Sequence, residues 1–204
     1  MPLSREALAA ELGQVLLEPE AASQLAVRGR TKAGVLLPLY LEDGVVHAVF
    51  TRRREDLRRH PGEISFPGGR YDEGEANLEA TALREAHEEI GLPPDAVEIV
   101  GALTPTPTMV TGYAVYPFVG VIEAGLEWTL SAREVAEVLE LSISDLRAGY
   151  DRRRLLRRGV PIRTDTYLVG DNLIWGATAR ILGDLLGRLG QLETQPGVSQ
   201  PETP

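Results

Sequence analysis

Apolar residues along the first part of the chain follow a helical period and then a strand period. A stripe at spacings of three and four, behind Ser4 as a candidate N-cap, predicts a helix over residues 4–17. Two β-rich runs follow at residues 34–41 and 45–51, and the Glu-Asp-Gly between them is typical of a hairpin turn. This part of the chain is therefore predicted to form a helix followed by a β-hairpin.

A long loop and the clearest helix come next. Residues 52–74 are rich in arginine, glycine and proline, and loops of this length are more typical of ligand binding than of core building. Helical periodicity covers residues 75–90 and stops at Gly91, with prolines beyond it. The pattern predicts a functional loop that leads directly into a helix.

The second half of the chain mixes strand and helix patterns without a regular alternation. The predicted elements are strands over residues 97–103, 113–122 and 166–169, a short helix around Asp145 and Leu146, and a closing helix from Trp175 with Ile181, Leu182, Leu185, Leu186 and Leu189 on its core face. Residues 131–141 fit a strand, but Ser131 and Glu134 also fit a helical capping box. Such a mixture predicts an α+β fold or a mixed-sheet α/β sandwich.

Composition narrows the class of protein. A chain of 204 residues with 43% hydrophobic residues can bury the core of one ordinary domain. The excess of 30 acidic over 21 basic residues argues against a protein that holds nucleic acid by its phosphates. The chain has no cysteine, no apolar stretch long enough to span a membrane, and no signal-peptide block at its start. We therefore expect a cytoplasmic protein without a nucleic-acid or membrane partner, and the sequence leaves open whether it forms a homodimer.

Arginine supplies almost all of the positive charge and is concentrated in two runs. Lys32 is the only lysine, so a phosphate-binding loop ending in Gly-Lys-Ser/Thr is excluded. The runs are Arg52, Arg53, Arg54, Arg58 and Arg59, and Arg152, Arg153, Arg154, Arg157 and Arg158. Either run alone is more typical of a solvated surface, although clustered guanidinium groups in an acidic protein can also hold a small polyanion. The first run leads into a glycine-containing turn and is the stronger candidate.

Three glutamates on the clearest predicted helix form the main candidate site. Glu85, Glu88 and Glu89 stand at spacings of three and four and share one helix face. Carboxylates this close repel one another, and Mg²⁺ or Mn²⁺ would convert that repulsion into ligation. Taken alone, such a cluster is more often a solvated helix face. Here Arg84 adjoins it, and the FPGG turn at residues 66–69 offers bare backbone groups, so the parts of a phosphoryl-transfer site are present.

Residues 69–92, which end in REAHEEIGL, resemble the signature of the Nudix hydrolases. Members of that family use Mg²⁺ or Mn²⁺ to hydrolyse a nucleoside diphosphate linked to another moiety, and they share an α/β/α sandwich with a mixed β-sheet between helices. The resemblance implies catalytic roles for Arg84, Glu85, Glu88 and Glu89, with the three glutamates and the Gly69 carbonyl as metal ligands. Which group removes the proton from the attacking water stays open.

The interval between Gly69 and Arg84 is one residue longer than in the general signature. Counting back from Arg84 places Ala76 where the signature has a glutamate, whereas Glu75 lies one residue earlier. A one-residue insertion in the loop would reconcile the two, and the sequence leaves the role of Glu75 open.

A further motif resembles the coenzyme A diphosphatase branch of the family. Residues 51–69 follow the spacing of that branch's extra motif, although Arg54 stands where the branch prefers a small residue, and similar features lie at residues 110–113 and 175–179. This resemblance implies hydrolysis of coenzyme A or a derivative to adenosine 3′,5′-bisphosphate and 4′-phosphopantetheine. The implied substrate-binding residues are Arg53, Arg58, Gly68 and Gly69, the two arginines having loop-shaping hydrogen bonds as their alternative role.

The resemblance divides the chain into three parts. We expect an N-terminal helical extension over residues 1–29, the Nudix hydrolase domain over residues 30–190, and a disordered tail over residues 191–204. Two alternatives for the function stay open. The substrate could be another nucleoside diphosphate derivative, such as ADP-ribose, NADH or a dinucleoside polyphosphate, or the chain could be a binding module without catalysis.

Five further residues have open roles. Glu134 or Glu137 could contribute a carboxylate if their segment passes the site, and His60 could contact phosphate or brace the loop. Tyr113 and Trp175 are expected in the core rather than beside the substrate.

Overall fold

The computed structural model describes residues 4–57, 60–108, 111–157 and 160–193. Its helices are α1 (Arg5–Val15), α2 (Pro19–Gln24), α3 (Leu78–Ile90), α4 (Ile143–Ala148) and α5 (Gly176–Glu193), with a 3₁₀ turn at Pro94–Ala96. Its strands are β1 (Thr31–Glu42), β2 (Val45–Arg53), β3 (Ile64–Ser65), β4 (Gly68–Arg70), β5 (Glu98–Ala102), β6 (Thr106–Pro107), β7 (Tyr113–Val121), β8 (Val135–Ser142), β9 (Tyr150–Arg157), β10 (Val160–Val169) and β11 (Asn172–Trp175).

Strands β1 and β7 form the centre of a mixed sheet that has eight strands within the described residues. These two strands run parallel, from Thr31 opposite Tyr113 to Leu39 opposite Val121. The other described pairs in this sheet are antiparallel. The main order is β3-β2-β1-β7-β5, with β8 beside β2, β4 beside β1 and β6 beside β7. The long loop predicted over residues 52–74 thus contributes two short strands, β3 and β4, to the sheet.

Both faces of β1 are covered by helices. Leu36 lies in a core that also contains Ile90 of α3. The neighbouring Leu37 lies in a second core, which contains Leu12 of α1 and Leu182 of α5. Because successive residues of a strand point to opposite faces, the apolar run through β1 is buried on both sides. The α+β class and the mixed sheet between helices that the sequence predicted are confirmed.

Side-chain caps decide where two of the helices begin. Ser4 accepts a hydrogen bond from the Ala7 amide over 3.2 Å, as the sequence predicted for the first helix. Asn77 accepts one from the Ala80 amide over 2.8 Å, so α3 begins at Leu78, three residues later than its helical period predicted.

Residues 131–141 form a turn and a strand rather than a helix. The Glu134 amide donates to the Ser131 carbonyl over 3.0 Å, and β8 follows. Leu139 of β8 pairs with Phe50 of β2, and both side chains are buried. The strand wins because pairing with β2 provides both a hydrogen-bond ladder and burial, which a short surface helix would lack.

A second, smaller sheet contains the described part of the second arginine run, from Arg152 to Arg157. Within the described residues it has three antiparallel strands in the order β11-β10-β9, of which the sequence predicted only the part at residues 166–169. Arg152 and Arg154 of β9 are exposed, as expected for a solvated surface.

Helix α5 closes the structure. It begins at Gly176, directly after Trp175, and continues to Glu193, three residues past the boundary expected for the domain. Its buried apolar residues include Ile181, Leu182, Leu185 and Leu189, which belong to the predicted core face. The rest of the expected tail, residues 194–204, lies outside the described residues. No helix in the described part of the chain combines the length and apolar character needed to cross a membrane.

Candidate active site

A cleft of about 820 Å³ is lined by residues of both sheets. One part is formed by β4 and α3, with Gly69, Glu85 and Glu89, and another by β10 and the first turns of α5, with Arg163 and Arg180. Its volume lies within the range of small-molecule sites, about 300–1,000 Å³. The cleft thus places acidic and basic side chains around one space.

The packing of α3 on β1 decides which glutamates reach this cleft. Gly34 permits close packing, because a β-carbon there would lie 3.0 Å from the Ala82 amide nitrogen and closer still to the Leu78 carbonyl. The buried apolar residues of α3 repeat every four positions and are Leu78, Ala82, Ala86 and Ile90. Glu85 and Glu89, each one residue before a member of that stripe, line the cleft.

Glu89 is the most buried of the predicted ligands, with 5% of its surface exposed. Its Oε2 accepts the Gly68 amide over 3.2 Å, and its Oε1 lies 3.9 Å from Nη1 of Arg53. Burial raises the pKa of Glu89 to about 8, with the charges of Glu85 and Glu134 adding to the rise and Gly68 and Arg53 opposing it. In the metal-free protein, the cleft therefore favours the protonated form of this carboxyl.

Glu85 lies directly over Gly69. A β-carbon on Gly69 would overlap the Glu85 carboxylate, so glycine is the residue that lets β4 pass this close to α3. Arg84 Nη2 donates to Glu85 Oε1 over 2.8 Å. Burial raises the pKa of Glu85, and the charges of Glu88 and Glu134 add to the effect, while Arg84 opposes it.

Arg84 holds a glutamate that the sequence left without a role. Its Nε donates to Glu75 Oε1 over 2.8 Å, and Glu75 Oε2 accepts the Asp72 amide and the Thr81 hydroxyl, each over 2.7 Å. Burial alone would raise the pKa of Glu75, but these hydrogen bonds outweigh it and hold that pKa below its ordinary value. Glu75, rather than Ala76, is thus the partner of Arg84, and the extra residue is accommodated before the helix begins.

Glu88 is placed differently from the other two glutamates of the cluster. Its Oε1 accepts a hydrogen bond from Arg84 Nη1 over 3.1 Å, and 57% of its side chain is exposed. It is not among the cleft-lining residues, whereas Glu85 and Glu89 are. The shared helix face seen in the sequence therefore divides into a buried pair and an exposed third member.

Arg53 and Glu134 complete the acidic end of the cleft. Arg53 Nη1 lies 3.9 Å from Glu89 Oε1 and equally 3.9 Å from Glu134 Oε2. Glu134 reaches this position from the turn before β8, which is the contribution that the sequence analysis left open. Glu137 instead binds Arg52 outside the cleft, with Nε to Oε2 at 2.9 Å.

The remaining predicted residues are distributed around this centre. Arg58 lies outside the described residues. His60 contacts Glu63, and both line the cleft. Tyr113 and Trp175, expected in the core, are only partly buried and also line the cleft. Tyr113 packs against the core as well, whereas the expectation for Trp175 is corrected.

Two basic residues of the cleft belong to no motif noted in the sequence. Arg163 lies on β10 and Arg180 in the second turn of α5. Neither belongs to the arginine runs, and the nearest signal is the WGxTA stretch at residues 175–179, directly before Arg180. Their convergence on the cleft depends on how β10 and α5 pack against the main sheet.

The acidic end suits a divalent cation that takes few protein ligands. Glu85 and Glu89 both face the cleft with raised pKa values, and the Gly69 backbone lies against Glu85. Across the described ranges, no group of three His, Asp or Glu side chains is arranged to hold a metal ion. Mg²⁺ commonly binds through one or two carboxylates together with water and substrate phosphates, so two carboxylates are compatible with it.

Comparison with known protein families and sequences gives one consistent result. Residues 30–158 match the family model of the NUDIX domain. A protein of Enterobacter sp. (strain 638) named uncharacterized Nudix hydrolase NudL is 40% identical over 166 residues, which cover 80% of this chain and 85% of that protein. The protein of the same name from Citrobacter koseri is 38% identical over 180 residues, covering 87% and 86%.

Solved structures agree on the fold. A Nudix hydrolase from M. smegmatis, RenU, superimposes with a TM-score of 0.54 at 18% identity, covering 84% of this chain and 91% of that one. The NUDIX domain of Shewanella oneidensis NrtR, determined in complex with ADP ribose, gives a TM-score of 0.54 at 14% identity, covering 88% and 100%. At these identities the similarity concerns the fold alone.

Proposed function

This chain belongs to the Nudix family, and from that premise we propose that it hydrolyses the diphosphate bond of coenzyme A or a coenzyme A derivative. The products would be adenosine 3′,5′-bisphosphate and 4′-phosphopantetheine. Within the family, the coarser assignment is a hydrolase of nucleoside diphosphate derivatives. The finer assignment to coenzyme A rests on the motif at residues 51–69, which resembles that of the coenzyme A diphosphatase branch.

The observation that carries the proposal is the position of this motif's Arg53. Its guanidinium lies 3.9 Å from Glu89 and 3.9 Å from Glu134, inside the cleft that Glu85 and Glu89 line. An arginine at that position can bind a phosphate oxygen of the substrate while the carboxylates act on the same diphosphate. The branch motif and the family signature thus meet at one site.

Glu85 and Glu89 would hold a Mg²⁺ or Mn²⁺ ion, together with the Gly69 carbonyl. When bound, the cation would neutralise charge on the diphosphate and acidify a bound water. Replacement of the proton on Glu89 by a cation would remove the energetic cost of ionising a buried carboxyl. Glu88 would join as a third ligand after leaving Arg84, with which it pairs at 3.1 Å.

Glu134 would orient the attacking water. Glu134 faces the cleft without belonging to the helix cluster, and its carboxylate pairs with Arg53. Gly68 fixes the orientation of Glu89 through its backbone amide. Arg84 would position Glu85 rather than contact the substrate, because Glu75 and Glu85 already occupy donors of its guanidinium.

The test is a substrate panel with the purified 204-residue protein. Coenzyme A, dephospho-coenzyme A, ADP-ribose and NADH are incubated with Mg²⁺ or Mn²⁺, and release of adenosine 3′,5′-bisphosphate is followed for coenzyme A. We expect metal-dependent cleavage that favours coenzyme A and is lost in Glu85→Gln and in Glu89→Gln. The matched control is Glu79→Gln, in the first turn of the same helix and away from the cleft.

The panel separates the proposal from its alternatives. Cleavage of ADP-ribose or NADH with coenzyme A inert would keep the family assignment and overturn the coenzyme A assignment. Metal binding without cleavage of any substrate would favour a binding module instead. Equal activity in Glu79→Gln and Glu89→Gln would overturn the assignment of the site itself.

A further inference from the structure

Arg180 is a partly buried cation that forms no ion pair with a described carboxylate. Its Nη2 donates to the Pro107 carbonyl, and its Nε is buried with no hydrogen-bond partner among the described residues. Burial lowers the pKa of Arg180 below its ordinary value. An arginine in this state is costly to the protein unless something else compensates its charge.

Asp165 is the acid that acts electrostatically on Arg180, but it is engaged elsewhere. Its Oδ1 accepts the Tyr150 hydroxyl over 3.0 Å and lies 3.3 Å from Nε of Arg152. No ion pair of Arg180 occurs in the described part of the structure. The charge of Arg180 is therefore available to an anion that enters from the cleft.

Arg180 lines the part of the cleft that β10 and α5 form, on different elements from the glutamates of α3. Arg163 on β10 also lines the cleft, is exposed, and forms no ion pair with the residues that the structure describes. At the acidic end, Arg53 pairs with Glu89 and Glu134, and Arg70 of β4 also lines the cleft. The hydrogen bond to Pro107 anchors Arg180 beside β6 instead. One cleft thus contains two separate places for negative groups of a substrate.

We propose that Arg180, together with Arg163, binds the ribose 3′-phosphate of the substrate, a phosphate that is not part of the diphosphate being cleaved. This rests on the proposed function and deepens it, because the 3′-phosphate is the group that distinguishes coenzyme A from dephospho-coenzyme A and from ADP-ribose. Guanidinium forks suit a terminal phosphate, which offers several oxygens to paired donors. The bound phosphate would supply the direct counter-charge that no described carboxylate supplies to Arg180.

The experiment compares coenzyme A with dephospho-coenzyme A in the wild type, Arg180→Gln, Arg180→Lys and Arg28→Gln. Arg28 is exposed and lies outside the cleft, so its variant makes the same charge change elsewhere. We expect Arg180→Gln to raise KM for coenzyme A about tenfold or more, with KM for dephospho-coenzyme A within about twofold of wild type. Arg180→Lys should recover part of the affinity, and Arg28→Gln should match the wild type.

Binding of the product by calorimetry keeps this inference distinct from the proposed function. Wild-type protein should bind adenosine 3′,5′-bisphosphate about tenfold more tightly than AMP, and Arg180→Gln should lose that preference, whether or not coenzyme A is cleaved. If Arg180→Gln lost affinity equally for both substrates, or equally for both nucleotides, Arg180 would have a structural role and the inference would be overturned. Equal wild-type affinity for the two nucleotides would overturn it as well, even if coenzyme A were hydrolysed.

Discussion

The Arg84 guanidinium donates its Nε–H to Oε1 of Glu75 over 2.8 Å, across the start of helix α3. The same guanidinium binds Glu85 over 2.8 Å. A glutamate of the loop before the helix is thereby connected, through one planar cation, to a carboxylate of the cleft. Because the fork geometry of arginine is rigid, the position of Glu75 is transmitted to Glu85.

We expect Glu75→Gln to lower activity about 10- to 100-fold while the protein stays folded. The amide cannot provide the charged acceptor that Arg84 requires, so Glu85 would lose its fixed orientation. The loss of this partly buried pair should also lower the free energy of unfolding by about 1–3 kcal/mol. Steady-state kinetics and urea unfolding measure the two effects. Glu73→Gln, an exposed change in the same loop, is the control, and equal activity of the two variants would contradict the prediction.

Gly69→Ala should lower activity about 100-fold, because a β-carbon would overlap the Glu85 carboxylate and displace it from the cleft. The control is Gly187→Ala in α5, where a β-carbon meets no atom within 4 Å. There alanine should leave activity unchanged and stabilise the helix by about 0.5–1 kcal/mol. Kinetics and thermal unfolding of both variants provide the comparison, and wild-type activity in Gly69→Ala would refute the assigned contact.

Glu89 should make the metal-free protein less stable as the pH rises. Its pKa is raised from 4.5 to about 8 in the folded state, so folding favours the protonated form. Below pH 4.5 the carboxyl is protonated in both the folded and the unfolded chain, so it contributes no pH dependence to stability. Between pH 4.5 and 8 the unfolded chain binds fewer protons than the folded one. Stability is therefore lost over that window, by about 4 kcal/mol at pH 8.

Glu89→Gln lacks this titration, so in EDTA its stability relative to wild type should increase from pH 5 to pH 8. Urea unfolding at pH 5, 6.5 and 8 measures the difference. Adding Mg²⁺ or Mn²⁺ at pH 8 should stabilise the wild type and not the variant, because the cation replaces the proton. A constant difference across the pH range would show that Glu89 titrates normally.

Arg53 should hold down the pKa of Glu89. Burial dominates the rise of that pKa, and the nearby guanidinium opposes it. In Arg53→Gln the titration midpoint of Glu89 should move above its wild-type position near pH 8. Carbon-13 NMR of glutamate-labelled, metal-free protein follows this midpoint, with Glu89→Gln identifying the resonance. Arg54→Gln, which removes an exposed pair with Asp56 at 2.9 Å, should leave the midpoint in place.

Local patterns in the sequence determined much of this protein. The helical period and the stop at Gly91 located α3, and the turn between residues 34–41 and 45–51 located the first hairpin. The signature in residues 69–92 indicated the family, to which the NUDIX model match assigns the chain. Such features can be predicted from the sequence because they depend on residues a few positions apart. Spacing and backbone preference are then enough to define them.

Other features depended on contacts between distant parts of the chain. The sequence of residues 131–141 is compatible with a helix or a strand, and pairing with β2 decides in favour of the strand. The three glutamates of α3 shared a face by spacing, yet the packing of that helix on Gly34 directed Glu85 and Glu89 inward and left Glu88 exposed.

The partner of Arg84 and the basic end of the cleft were likewise decided in three dimensions. Glu75 could be chosen over Ala76 only because the loop brings its carboxylate to the guanidinium, 9 positions along the chain. Arg180 could not be identified from the sequence, because its burial, and the absence of an ion pair with the described residues, arise where α5 meets β6 and β10. The sequence thus determined which chemical groups are available, whereas tertiary packing decided which of them share a cleft, since desolvation and pairing exist only between surfaces that fold together.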